Sequence, residues 1–194
     1  NQLHLHYEVW PDEWFAGVVQ ERITVGDHSL KLRVSGVRRP DLAFYGVGPA
    51  TLQSSQSRYT ELRLDASALF ETRFWRSSRL SVTAGFRKVS LSPGHDPTDP
   101  SIEQRARTGA FPLPYGFNRE YLAPYTRLLA TLDTRPPDRV WSSGVRLELQ
   151  GEQGTDVRVS PAASWIRWGA TATGFLDLND HARVVSLSVA TLFL

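Results

Sequence analysis

The chain has 194 residues, 41% hydrophobic side chains and 22 basic against 20 acidic groups, for a formal net charge of +2. That length fits one domain, and the near-balanced charge lacks the clustered basic footprint of a nucleic-acid binder. The absence of cysteine excludes disulfides, thiolate metal sites and thiol catalysis, and no apolar run approaches the ~18 residues of a membrane-spanning helix.

Apolar and polar residues alternate instead, and turn signals divide the alternation into nine expected strands. Leu3, Leu5, Tyr7 and Val9 oppose His4, His6 and Glu8, before a turn at Pro11 and Asp12. The run from Trp14 to Val25 has no clean side, because Glu21 shares a face with Phe15, Gly17 and Val19. Gly26 and Asp27 form a tight turn. Leu30, Leu32 and Val34 then oppose Lys31, Arg33 and Ser35.

The clearest strand is Tyr59 to Phe70, which sets Tyr59, Glu61, Arg63, Asp65 and Ser67 against Thr60, Leu62, Leu64, Ala66, Ala68 and Phe70. Soluble strands run about 5 to 6 residues, whereas a tilted strand crossing a bilayer needs roughly 9 to 11. Downstream, Leu80, Val82, Ala84 and Phe86 oppose Ser81, Thr83, Gly85 and Arg87. The remaining apolar rows are Thr126 to Leu132, Val145 to Leu149, Ile166 to Leu176 and Val185 to Phe193. Tight or moderate connections are expected at Gly26 to His28, Glu71 to Ser78, Arg135 to Ser143 and Asn179 to His181. Long loops are expected at 38–57, 92–121 and 151–163, where Gly, Pro and Ser accumulate. This alternation of short and long connections, broken only by the short first outward connection around Pro11, is the habit of outer-membrane barrels.

The fold class expected is therefore all-β, an antiparallel transmembrane β-barrel segment. An Arg or Lys facing lipid costs about 2 to 4 kcal/mol at the midplane, so Glu61, Arg63, Asp65, Arg87, Arg127, Arg146 and Glu148 are assigned to the lumen. Mixed signs on such a wall pair across strands. A one-residue slip would turn Glu61, Arg63 and Asp65 to lipid together, which fixes the register. Lys88 interrupts an apolar row and is expected at a strand end, where it can snorkel. Trp10, Trp14, Phe44, Tyr45, Phe74, Trp75, Tyr115, Tyr125 and Trp141 fall near strand ends, as girdles do. The same alternation also describes the wet side of a soluble antiparallel sheet.

Residues with obvious chemistry are few. His4 and His6 share a face but lack a third ligand at recognisable spacing, and Asp96 and Asp99 lack the glycine and terminal Glu of a calcium loop. Neither a GxSxG nucleophile motif nor a phosphate-binding glycine loop occurs. No catalytic residue, metal or cofactor is expected, and the protein is read as non-enzymatic.

Two local patterns go further. Ala43 to Pro49 reads AFYGVGP, in which Phe44, Tyr45, Gly46, Gly48 and Pro49 match an RFYGxGP signature and Ala43 replaces its Arg. Ninety residues on, LDTRPPDRVWSSGVRLEL matches a DTRDNPxxPxxG strand, turn and strand at Asp133, Thr134, Arg135 and Gly144. Pro136 and Trp141 depart from it. Gly46, Gly48 and Gly144 permit backbone angles closed to other residues, and Pro136 and Pro137 stop a ladder. In these motifs and their order the chain resembles the BamA and TamA-type outer-membrane assembly barrels of the bacterial surface-antigen superfamily.

The resemblance implies residence in the bacterial outer membrane, a role in inserting or translocating outer-membrane proteins, and contacts with the lipid bilayer, client proteins and periplasmic accessory proteins. Relatives act through soluble POTRA repeats, a lateral opening between first and last strands, and an inward loop with a VRGF or LRGY motif, none of which lies in this sequence. Nine strands would correspond to strands three to eleven of a 16-strand barrel, from a mature or excised piece that begins at Asn1. The alternatives are a related polypeptide-secretion pore or passive channel, and a soluble β-sandwich or lipocalin-like binding module.

Overall fold

A computed structural model describes residues 2–9, 15–48, 51–94, 99–114, 117, 120–139, 141–159, 162–178 and 183–193. The fold is all-β. Strands β1 (Gln2–Val9), β2 (Phe15–Val25), β3 (His28–Phe44), β4 (Ser57–Trp75) and β5 (Ser78–Pro93) are followed by helix α1 (Ile102–Arg107). Then come β6 (Tyr121–Asp133), β7 (Gly144–Asp156), β8 (Ala163–Asp177) and β9 (Val184–Phe193). All nine form one sheet in chain order, each antiparallel to the next, and the sheet is not closed into a barrel. Among the described residues no helix is long and apolar enough to cross a membrane, a statement that leaves crossing by strands untouched.

Directly opposed residues of antiparallel strands share a face, so the register tests the assignment of rows. Leu5, Val19, Val34, Ala66 and Phe86 are opposed in succession from β1 to β5. Thr83, Arg127, Glu152 and Arg167 are opposed in succession from β5 to β8. The rows read from alternation thus stack into one apolar and one polar face. Glu21 is set between Leu3 and Leu32 on the apolar face.

The two-residue turns follow local chemistry. Gly26 adopts a φ of 57°, which a Cβ would oppose. Arg76 takes a φ of 46° and is held there because its guanidinium donates to the Thr134 carbonyl and lies 5.2 Å from the Trp75 ring centre.

Strand ends differ from expectation. β3 continues through Arg38 to Phe44, so the 38–57 loop is confined to residues after Phe44. Pro40 lies inside this strand because the register shifts between Arg39 and Leu42, and a bulge tolerates the missing N–H. The Pro40 carbonyl instead accepts the Thr60 hydroxyl at 2.7 Å. β7 likewise runs through Gly151 to Asp156, paired on both sides over much of that length, so 151–163 is mostly strand. The 92–121 segment contains α1, whose Ser101 and Gln104 form a reciprocal capping box. The Glu71 to Ser78 connection narrows to a tight turn at Arg76 and Ser77, since β4 reaches Trp75 and β5 begins at Ser78. Lys88 sits inside β5, where its ammonium is 2.7 Å from Glu120. The expected turn at Pro11 and the connection at Asn179 to His181 lie outside the described residues, as do Trp10, Trp14, Pro49, Asp96 and Tyr115.

Burial is inverted between the two faces of the sheet. On the central strands Phe86 is 62% exposed, while Glu152 on the opposite face is 5% exposed. Buried hydrophobic packing is concentrated in a small cluster of Ile102, Phe111 and Phe117, against Phe44, Tyr59, Leu91 and Ala106, where the long connections meet.

Candidate functional site

Two glycines on the polar face make room for rings from the adjacent strand. A Cβ on Gly85 would lie 2.7 Å from the Ala66 carbonyl oxygen and 3.0 Å from the Tyr125 ring. A Cβ on Gly154 would overlap the Trp165 ring. Because Tyr125 crosses Gly85, its hydroxyl passes over β5 and donates to Asp65 on β4 at 3.0 Å. Arg87 donates its Nε to the same carboxylate at 3.2 Å, with its guanidinium 4.6 Å from the Tyr125 ring centre.

Glu152 is the other focus. Arg127 donates to it from β6, Arg167 from β8 at 3.1 Å, and the Arg87 guanidinium is 3.6 Å away. Three cations from three strands therefore converge on one buried carboxylate, a network in which charge-assisted bonds satisfy both partners. Of the residues assigned to the lumen, Asp65, Arg87 and Arg127 are brought together here. Glu61 and Arg63 pair with each other at 2.5 Å, and Arg146 and Glu148 at 3.1 Å. Glu152 escaped the sequence reading because its segment looked like a loop; its place in the same period-two row as Arg146, Glu148 and Gln150 was the available signal.

The same face carries a depression of about 340 Å³ lined by Lys31, Arg33, Arg63, Arg87 and Arg127, with Asp65 as its carboxylate. Its remaining lining includes Ser35, Ser67 and Thr83.

The two motifs occupy opposite ends of the strands. At the turn end, Arg135 makes two bonds to Asp133, from Nε at 3.0 Å and from Nη2 at 2.8 Å, and its guanidinium lies 3.6 Å from the Phe175 ring centre. Thr134 bonds Val145 in both directions, through its backbone N–H and its hydroxyl. Gly144 is required for space rather than for an unusual φ: a Cβ would stand 2.5 Å from Arg135 Cγ and 2.8 Å from Thr134 Oγ1. At the loop end, Gly46 and Gly48 do take left-handed φ values of 112° and 101°. Phe44 meets Phe111 edge-on at 5.1 Å, and the Tyr45 hydroxyl donates to Gln56 at 3.2 Å.

The His4 and His6 rings stack at 6.4 Å, and His6 pairs with Glu8 at 2.8 Å. Among the described residues no group of three or more His, Asp or Glu is arranged to hold a metal ion. Asp99 instead accepts bonds from Gln56 and Arg58, both at 2.7 Å, tying its loop to β4. What the polar face presents is a wall of paired charges and a depression lined mainly by cations. No protein-family profile, curated protein or solved structure matches this chain.

Proposed function

We propose that this chain forms part of the wall of a bacterial outer-membrane β-barrel, with its apolar face against hydrocarbon and its polar face toward the lumen, in a protein that inserts or translocates outer-membrane proteins. The inverted burial carries the membrane part. Burying a Leu, Ile or Phe side chain is worth about 1.5 to 3 kcal/mol, and this face leaves rows of them uncovered, including Leu64, Phe86, Leu128 and Ile166. Among the described residues no second layer covers them, as a β-sandwich would require.

The height of the apolar band supports the same reading. His28 and Arg38 bound the Leu30, Leu32, Val34 row on β3 and lie about ten residues apart. At roughly 3.3 Å per residue and a tilt near 45°, that separation is about 23 Å, close to the ~25 Å band of outer-membrane barrels. Lys88 stands at the same distance from Ser78 on β5. Glu21 is the acidic exception, and a lipid-facing Glu costs less than an Arg or Lys.

The assembly role rests on the motif resemblance at Phe44 to Gly48 and Asp133 to Gly144. It would operate by strand-edge hydrogen bonding to incoming hairpins. A passive channel is the second reading, favoured by the charged depression on the polar face. Spin labels at Leu62, Val82, Leu128 and Ile166 in the intact protein test the membrane placement. Accessibility to oxygen rather than to a water-soluble relaxant is expected, and an aqueous or protein-packed environment at these sites overturns it. Depleting the protein should lower outer-membrane protein incorporation if it assembles them, and should spare it if the barrel is a passive channel.

A further inference from the structure

Most charges on the polar face neutralise one another, and the exception is local. Asp65 is engaged by Arg87 and Tyr125, Glu61 by Arg63, and Glu152 by Arg127, Arg167 and Arg87. Glu71 meets Arg22 at 3.4 Å and Arg79 at 4.0 Å. Lys31 and Arg33 are left with no carboxylate partner among the described residues, although both line the depression on the same face as Arg63, Arg87 and Arg127. Their cross-strand neighbours on β4 are Leu69 and Ser67, and on β2 Arg22 and Gln20. None of these supplies a negative charge.

We infer that the depression between β3 and β6 is a binding site for a small multivalent anion, one that presents phosphate or carboxylate oxygens in at least two groups. Arg63, Arg87 and Arg127 are answered by Glu61, Asp65 and Glu152, so Lys31 and Arg33 carry the excess, a positive potential at the depression that a bound anion relieves. Arg33 offers a planar donor fork suited to paired oxygens, Arg63 adds the N–H groups that its bond to Glu61 leaves over, and Lys31 adds a point charge on a flexible stem. The hydroxyls of Ser35, Ser67 and Thr83 provide further donors around the rim. A volume of about 340 Å³ suits a pyrophosphate or a tricarboxylate. A monovalent ion would engage too few of the cations to be held.

The inference goes beyond the membrane reading and does not depend on it, since the polar face meets water either in a lumen or on a soluble sheet. Calorimetric titration of the intact protein at low ionic strength, in nonionic detergent and in plain buffer, tests it with pyrophosphate, citrate and acetate. Saturable binding of pyrophosphate or citrate, displaced by the other, weakened by salt and at least tenfold tighter than acetate, is expected. Whichever of the two binds more tightly identifies the phosphate or carboxylate class. Lys31→Gln with Arg33→Gln should lower affinity at least tenfold with unchanged far-ultraviolet circular dichroism. The single substitutions are read in the same way where the double variant does not fold. Arg146→Gln, outside the depression, should leave binding as it was. Absence of saturable binding, or undiminished binding in the Lys31 and Arg33 variants, overturns the site without touching the lipid-facing assignment of the opposite face.

Discussion

The two ends of the sheet carry the two motifs and are fastened by different physics. At the turn end, Asp133 and Arg135 form a buried ion pair, and Thr134 closes the strand junction through backbone and hydroxyl bonds. Ser78 bonds both the N–H and the carbonyl of Asp133, which couples the β4–β5 turn to this junction. At the loop end, a small apolar cluster in which Phe44, Phe111 and Ile102 meet is the main fastening, joined by the half-buried Asp99–Arg58 pair and by Asp156, which accepts backbone N–H groups. Directional bonds tolerate no loss of a partner, whereas an apolar cluster can partly collapse around a deletion. Damage should therefore spread through the sheet from the turn end and stay local at the loop end.

Removing one partner of the buried pair is the sharpest way to break that contrast. Arg135→Ala leaves Asp133, 3% exposed, without its guanidinium, and should destabilise the protein by about 3 to 5 kcal/mol. Denaturant unfolding followed by gel mobility measures it. Asp133→Asn combined with Arg135→Leu should recover most of the loss, because no uncompensated charge then remains.

Ile102→Ala addresses the other end. Ile102 is 2% exposed, and its truncation should cost about 2 kcal/mol, the low end for a buried aliphatic, because the surrounding cluster is small. The loss should appear as faster amide exchange at Arg58, whose N–H bonds the Pro100 carbonyl, with the unfolding midpoint of the sheet little changed. Global unfolding at a lower midpoint would erase the distinction between the ends.

The motif glycines give a finer comparison. Gly144→Ala forces a methyl against Arg135 and Thr134 and should cost about 1 to 3 kcal/mol by disturbing the ion pair. Gly46→Ala meets only ordinary contacts, the nearest at 3.4 Å, and its cost of about 1 kcal/mol arises from the φ of 112°. Combining Gly144→Ala with Arg135→Ala should be less than additive, whereas Gly46→Ala with Arg135→Ala should add.

What sequence could and could not reveal follows the same division. The faces of β4 and β5 were legible because a period of two cannot be mistaken when Leu62, Leu64 and Ala66 alternate with Arg63 and Asp65. Strand ends were not, since Pro40 and Gly151 punctuate a sequence without breaking a ladder that neighbouring strands supply. That misreading hid Glu152, around which three cations gather. The Asp133 to Gly144 pattern could be seen, but its reason could not: the collision of a Cβ with Arg135 depends on two strands brought together by a turn.

The smallest effect concerns an exposed charge at the loop end. Glu120 lies between Lys88 at 2.7 Å and Arg158 at 2.9 Å, and the hydrogen bond from Lys88 holds its carboxyl below the ordinary glutamate range, with Arg158 adding to the shift. A depressed folded-state value means that the pairing contributes fully above the unfolded carboxylate range and is lost as pH falls through the lowered value. Following the Glu120 carboxyl carbon by NMR should give a midpoint below that of an ordinary glutamate, and Lys88→Gln should move it upward. Added salt should do the same, because an exposed pair is screened. The Asp133–Arg135 pair is shielded from solvent, so the unfolding midpoint that depends on it should change little over the same salt range. If salt weakened both pairs alike, charge at the turn end would be as peripheral as charge at the loop end, and the two fastenings would not differ in kind.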